Sequence, residues 1–217
     1  MMDSMMALDV DLRQREATDW QTTFISAFLL TIITCGIYGI YILYKLMDRR
    51  LQHFERLVSL REHLIEVLRE KAAAAGKTAE VEEDLSQLEG LHLEATARDR
   101  AGEKSPVLWL VLTIVFSLVV YYIYYFLNDD FRAHEANEQQ FMAKASDIMT
   151  KLGIVQQPIT PSMVVPERTF VKYLLLTIFT CGIYGIYWWY TLITDPNLHF
   201  DNHATWETQL STALSSS

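Results

Sequence analysis

The string Thr34-Cys35-Gly36-Ile37-Tyr38-Gly39-Ile40-Tyr41 returns unchanged as Thr180-Cys181-Gly182-Ile183-Tyr184-Gly185-Ile186-Tyr187. Laid over each other without a gap, residues 24 to 55 and 170 to 201 agree at 17 of 32 positions, down to His53-Phe54 and His199-Phe200. Apolar composition alone does not align Cys, Gly and His, so the chain is built by repetition and its fold must use one element at least twice. The reading places a third, eroded copy at an offset of 82, where Leu112-Thr113-Ile114 matches Leu30-Thr31-Ile32 and Asp130 matches Asp48. There Phe116, Ser117, Leu118 and Tyr121 stand in for Thr34, Cys35, Gly36 and Gly39.

Three runs, 22–44, 107–127 and 173–193, contain no Asp, Glu, Lys or Arg, and all eleven tyrosines fall inside them. Each run is near the ~20 residues that cross a ~30 Å hydrocarbon core as a helix. Trp20, Trp109, Trp188 and Trp189 lie near run ends, where amphipathic rings sit at headgroup level. The expected fold is an all-α integral membrane protein with three transmembrane helices and a long extramembrane antiparallel helical hairpin between the first and second. Tyr41, Tyr44, His53, Tyr187, Trp188, Trp189, Tyr190 and His199 read as interfacial anchors.

The net charge of -9 lies outside these runs and excludes nucleic acid as a partner. The two cysteines, both inside apolar runs, make neither a disulfide framework nor a metal set. They read as small, reduced packing residues. Met1 to Asp19 lacks the basic and then apolar pattern of a signal peptide, so the first run is expected to serve as its own insertion signal. Eleven Lys and Arg residues lie in 45–104, against two in the N-terminal tail and five in 132–172. That asymmetry puts 45–104 on the cytoplasmic face.

The chain divides into a flexible tail (1–21), membrane repeat 1 (22–47), an extramembrane helical hairpin (48–104), a second transmembrane helix with a helical extension (105–152), a proline-containing linker (153–168), membrane repeat 2 (169–203) and a disordered tail (204–217). In the first arm of the hairpin Leu51, Phe54, Val58, Ile65 and Leu68 recur at helical spacing. Gly76 stops that arm, and Thr78 with Glu80, Glu82 and Glu83 opens a second one, which ends at a Gly102 to Pro106 break. The second arm's apolar stripe is thinner, and the uncovered surface of the first invites a partner helix.

Within the repeats, Thr31, Cys35 and Gly39 lie on one helical line, and Thr177, Cys181 and Gly185 on the matching one. Small residues at that spacing let two backbones approach closely in lipid. Thr34-Cys35-Gly36 and Thr180-Cys181-Gly182 also suit a kink, and a stronger form of that reading makes each copy a re-entrant hairpin. The spanning helix is preferred. The Gly-Ile-Tyr string also appears in a nuclease signature, but its flanks here are lipid-grade. No ionisable residue lies within a run, so no proton relay or charged substrate pocket is expected, and no catalytic motif or cofactor site is evident. His199 and His203, four apart, could touch one metal from a helix face; beside a membrane end they read instead as interfacial polar residues.

The pattern Leu-Leu-Thr-Ile-x-Thr-Cys-Gly-Ile-Tyr-Gly-Ile-Tyr with following aromatics resembles a bacterial membrane family described as domain of unknown function 4234, over roughly residues 24–55 and 170–201. The resemblance implies a bacterial inner-membrane location, and no functional residues carry over from it. The function expected is a non-enzymatic scaffold or accessory subunit of a membrane complex. Its partners would be the lipid bilayer and either a second copy or a membrane protein, docked by the 48–102 hairpin. A small oligomeric channel or uncharged-solute carrier is the alternative.

Overall fold

The computed structural model describes residues 2–101 and 104–216. Among them the chain forms α1 (Met2–Arg13), α2 (Arg15–Thr18), α3 (Phe24–Ile33), α4 (Ile37–Ala74), α5 (Thr78–Asp99), α6 (Pro106–Val115), α7 (Val119–Leu152), α8 (Phe170–Phe179) and α9 (Ile183–Ser215). Gly102 and Glu103, in the break expected at Gly102 to Pro106, lie outside the described residues.

No described helix is long and apolar enough to cross a membrane. This overturns the three transmembrane helices, and with them the integral, multi-pass protein and its bacterial inner-membrane location. The reason lies in the middle of each apolar run. Cys35 and Gly36 have φ of 51° and 96°, and Cys181 and Gly182 have 50° and 92°. This left-handed pair ends one helix and begins another after a three-residue turn. A Cβ placed on Gly39 would lie 3.0 Å from Thr31 Cγ2, and one on Gly185 3.2 Å from Thr177 Cγ2. Residues eight apart on a continuous helix are separated by about 12 Å, so each copy is a helical hairpin, α3/α4 and α8/α9. The middle copy does the same: α6 and α7 are divided at Phe116–Leu118, the positions aligned with Thr34–Gly36. Trp109 meets Tyr122 and Phe126 across that turn, with ring centroids 4.9 and 5.9 Å apart.

The turns of the two intact copies satisfy their own backbone. In the first copy the N–H groups of Thr34, Cys35, Gly36 and Ile37 reach the carbonyls of Leu30, Ile32, Thr31 and Thr34 at 2.8–3.1 Å. Thr34 Oγ1 donates to Leu30 O at 2.7 Å and accepts from Tyr38 N–H at 2.9 Å, capping the next helix. Thr180 repeats both bonds in the last copy. The repeated threonine is therefore a two-way connector at the turn.

The long arms α4, α7 and α9 meet at matching levels. Nearest the turns, Ile42 and Leu46, Ile123 and Phe126, and Trp188 and Leu192 share one apolar cluster with Ala27 and Tyr173. Farthest from them, Leu57 to Ala72, Phe141 to Met149, and Trp206 to Leu214 share another. Three helices touching in the same order along their length run parallel, so all three turns lie at one end of the molecule.

The far cluster also takes in Leu8 of α1 and Val81, Leu85 and Leu88 of α5. The apolar stripe of α4 is thus covered by this same chain, where the sequence suggested another protein. The segment expected to be a flexible N-terminal tail is helical as α1 and held to α4 by His63 Nδ1 with Asp11 Oδ2 at 2.6 Å. The tail from 204, expected to be disordered, continues α9 with Trp206, Leu210 and Leu214 buried. Apolar periodicity at these three residues is interrupted by polar neighbours, which hid the helix from inspection. Residues 153–169 carry no helix. They lie along α7, where Ser146 Oγ exchanges hydrogen bonds with the backbone of Ile159 at 2.7 and 2.9 Å.

Pro196 lies inside α9 and can donate no hydrogen bond to the carbonyl of Leu192. Arg49 supplies it: Nη2 donates to the carbonyls of Leu192 and Ile193 at 2.9 and 3.2 Å, and Nη1 to Asn197 Oδ1 at 2.9 Å. Burial pushes Arg49 down to about 9, and the guanidinium remains charged at neutral pH.

Candidate metal centre

Between the two apolar clusters the three long arms bring together four histidines. His53 of α4, His134 of α7, and His199 and His203 of α9 are all buried, and one ligand atom from each lies within 4.8 Å of the others. His53, His134 and His199 stand 17, 16 and 17 residues beyond the turns that end at Gly36, Leu118 and Gly182. The repeat therefore delivers one histidine per copy to one level. His203, one helical turn beyond His199, adds the fourth.

Each imidazole is turned by a carboxylate behind it. His53 Nδ1 faces Asp19 Oδ1 at 2.7 Å, His134 Nδ1 faces Asp99 Oδ1 at 2.9 Å, His199 Nδ1 faces Glu135 Oε1 at 3.3 Å and His203 Nδ1 faces Glu207 Oε1 at 2.9 Å. A neutral histidine that gives its Nδ1 proton to a carboxylate presents the Nε2 lone pair on its other side. The four Nε2 atoms face inward, His53 and His199 approaching to 3.2 Å.

The carboxylates are themselves held. Arg56 joins two of them, donating to Asp19 Oδ2 at 3.1 Å and Glu207 Oε1 at 2.9 Å. Arg61 holds Asp99 Oδ2 at 2.7 Å, and Val165 N–H holds Glu135 Oε2 at 3.0 Å. Phe54 stacks on His134 with centroids 4.2 Å apart, and Phe131 and Phe200 pack against His53 and His199.

Glu138, one turn beyond His134 on α7 and buried, flanks the four histidines. Its Oε1 lies 2.8 Å from His203 Nε2, yet neither of its oxygens makes an aligned hydrogen bond, nor do the Nε2 atoms of His134 and His203. Orphaned buried polar atoms are costly. Here the two nitrogens belong to the four that lie within 4.8 Å of one another, and Glu138 stands against His203. Asp19 and Glu207 meet Arg56, Asp99 meets Arg61 and Arg15 stands 3.5 Å from Glu207, whereas among the described residues Glu135 and Glu138 meet no guanidinium. Burial pushes His53 well down, reinforced by the neighbouring histidines, and lowers His199 as well. For His203, burial opposes the charge, but Glu138 and Glu207 outweigh it and raise its pKa to about 9. Burial likewise opposes the charge on Glu138, and the histidines outweigh that and hold it at about 2. A proton on His203 thus lies between the carboxylates of Glu138 and Glu207.

The arrangement has the parts of a transition-metal site: imidazole nitrogens converging with a carboxylate, each imidazole oriented by a hydrogen-bonded second layer. Of the sequence-predicted residues, it includes His53 and His199, in the buried centre where the reading put them at an interface as anchors. Trp188 is buried in the apolar cluster nearer the turns, whereas Tyr41, Tyr187 and Tyr190 are exposed and Tyr44 and Trp189 partly so. Thr31 with Gly39 and Thr177 with Gly185 pack the two arms of one hairpin together, and the exposed Cys35 and Cys181 sit with Gly36 and Gly182 in the turns. His134 and Glu138 were missed as ligands, and His203, which the spacing paired with His199 as able to touch one metal, was read instead as an interfacial polar residue. The signals were His134 followed by Glu138 and His199 by His203 and Glu207, each at a spacing of four, together with a His-Phe pair recurring beyond the apolar run.

No curated protein and no solved structure matches the chain. One family model matches it twice, over residues 22–65 and 168–216, spanning α3 with most of α4 and then α8 with α9. The chain is thus a two-copy carrier of the domain described as Domain of unknown function (DUF4234).

Proposed function

We propose that this protein binds one divalent first-row transition-metal ion at His53, His134, His199, His203 and Glu138. The ion would tie three repeated helical hairpins into one body. The observation that carries the proposal is the convergence of one nitrogen from each of four buried histidines to within 4.8 Å of one another, with His134 Nε2 lacking a hydrogen-bond partner and Glu138 Oε1 2.8 Å from His203 Nε2. Imidazole suits iron, zinc, copper and nickel, and a carboxylate in the same set favours a five- or six-coordinate ion over the closed tetrahedron of structural zinc. A set supplied this fully by protein leaves little room for substrate, which favours a non-enzymatic accessory role, structural or electron-carrying.

Metal analysis of the full-length protein purified without chelator tests this directly. A single metal ion per chain is expected in wild type and a large loss in His134→Ala and His199→Ala, with helical content retained in both. Cobalt(II) loaded into the stripped protein should give the weak visible bands of five or six ligands. Metal content far below one ion per chain, together with no thermal shift on adding iron(II), cobalt(II), nickel(II) or zinc(II), would overturn the proposal.

A further inference from the structure

The hairpin end of the molecule is a surface for something other than water. Of the 30 exposed large hydrophobic side chains among the described residues, 25 lie on the three hairpins, between residues 25–41, 107–125 and 171–190. The turns are the most open: Ile33 is 73% exposed, Leu118 78% and Phe179 79%. A soluble surface carries such residues singly, and a contiguous field of them marks an interface.

Three features identify the occupant. The exposed residues surround the hairpins and cover their tips, whereas a second copy of the chain would shield one face. The short arms α3, α6 and α8 have 10 residues each, or about 15 Å of helix, half of a ~30 Å hydrocarbon core. The turns of the two intact repeats also hydrogen-bond each N–H from Thr34 to Tyr38 and from Thr180 to Gly185 within the chain. The same closure occurs at Gly76 and Gly153, away from this end, so it permits burial in hydrocarbon without requiring it. The ionisable groups begin at the other end of the short arms, where Lys45 pairs with Asp48, Lys104 with Asp130 and Arg168 with Asp195. Trp20 lies at the same level, 5.4 Å from Lys45 Nζ.

We infer that the three hairpins insert together into one leaflet of a lipid bilayer, entering and leaving through the same face without crossing it. The histidine centre would then stand outside the hydrocarbon, about 25 Å from the tips along the long arms.

The test uses the full-length protein with phosphatidylcholine vesicles and the native cysteines, which sit in two of the three turns. Labelled at Cys35 and Cys181 with a polarity-sensitive fluorophore and diluted from detergent into preformed vesicles, the protein should float with them. The label should shift to the blue and be quenched by nitroxides deep in the acyl chains, but not by an aqueous quencher sealed inside the vesicles. The variant Ile37→Asp, Leu118→Asp, Ile183→Asp should lose flotation while keeping its helical content and metal content; retained flotation would overturn the inference. So would a wild-type protein that stays in the aqueous phase, labels quenched from the vesicle interior, or tips already shielded from aqueous quencher in a lipid-free oligomer.

Discussion

At the scale of single residues, two glycines three positions apart in each repeat work in unrelated ways. Gly36 has φ of 96° with nothing within 4 Å of the place a Cβ would take, whereas Gly39 is helical and its Cβ would press on Thr31. Gly36→Ala should therefore cost about 1–2 kcal/mol through backbone strain alone, with hairpin packing unchanged. Gly39→Leu should cost roughly 1–3 kcal/mol through overpacking and separate α3 from α4. Chemical denaturation measures both costs, and a spin-label distance from residue 28 to 43 separates them, since it should lengthen only in Gly39→Leu. The threonines and glycines of the motif were recognisable in the sequence as packing or bending residues. Which of the two each glycine does was not, because the same four-residue spacing describes a groove on a straight helix and the seam of a hairpin.

At the scale of elements, the apolar runs and the long helices after them were legible from charge and periodicity, and so were the stop at Gly76 and the repeat itself. What was misread is continuity. A run of some twenty apolar residues has the length of a spanning helix, and its hydropathy is unchanged when three residues in the middle turn it back. The turn is set by Cys35-Gly36 and its copy, a non-glycine and a glycine both left-handed, and in the middle copy the aligned Phe116, Ser117 and Leu118 carry no glycine. Elsewhere the elements are joined by ordinary surface chemistry. Asp84 of α5 meets Lys144 and Lys151 of α7, both at 2.6 Å, and those hydrogen bonds hold its carboxyl below the usual range. A lowered carboxylate stabilises the fold above its unfolded pKa of ~3.9, and the contribution is lost as pH falls through the folded value. Asp84→Asn should then lose roughly 0.2–1 kcal/mol at neutral pH and lose less than wild type on acidification below pH ~4, as read from denaturation midpoints across that range.

At the scale of the whole molecule, three arms are held at one level by a buried polar centre whose parts come from α4, α7 and α9, with Asp19 from the stretch after α2 and Asp99 from α5. Sequence inspection placed His53 and His199 together by alignment but saw neither His134 nor Glu138 beside them, because the middle copy has diverged and aligns Glu135, not His134, with His53. Their meeting is a tertiary event between helices far apart in the chain. It has a global readout: an ion bound only by the folded state adds about 2.7 kcal/mol at a hundredfold excess over Kd. For a chain of this size that is roughly 5–10 °C in Tm. Differential scanning calorimetry should show this drop on stripping with a strong chelator and its recovery on reloading, with no such change in His134→Ala.

The repeated hairpin gives the centre an unusual ancestry. Each copy brings one or two of the proposed ligands to the common level, so no copy holds the set by itself, and the whole site exists only where three meet. A chain carrying a single copy would have to gather three chains side by side to rebuild it. The duplications in this sequence convert such an association into a property of one polypeptide, and they leave the copies free to diverge, as His203 and Glu138 have, toward ligands that a symmetric assembly of identical chains would have to repeat three times.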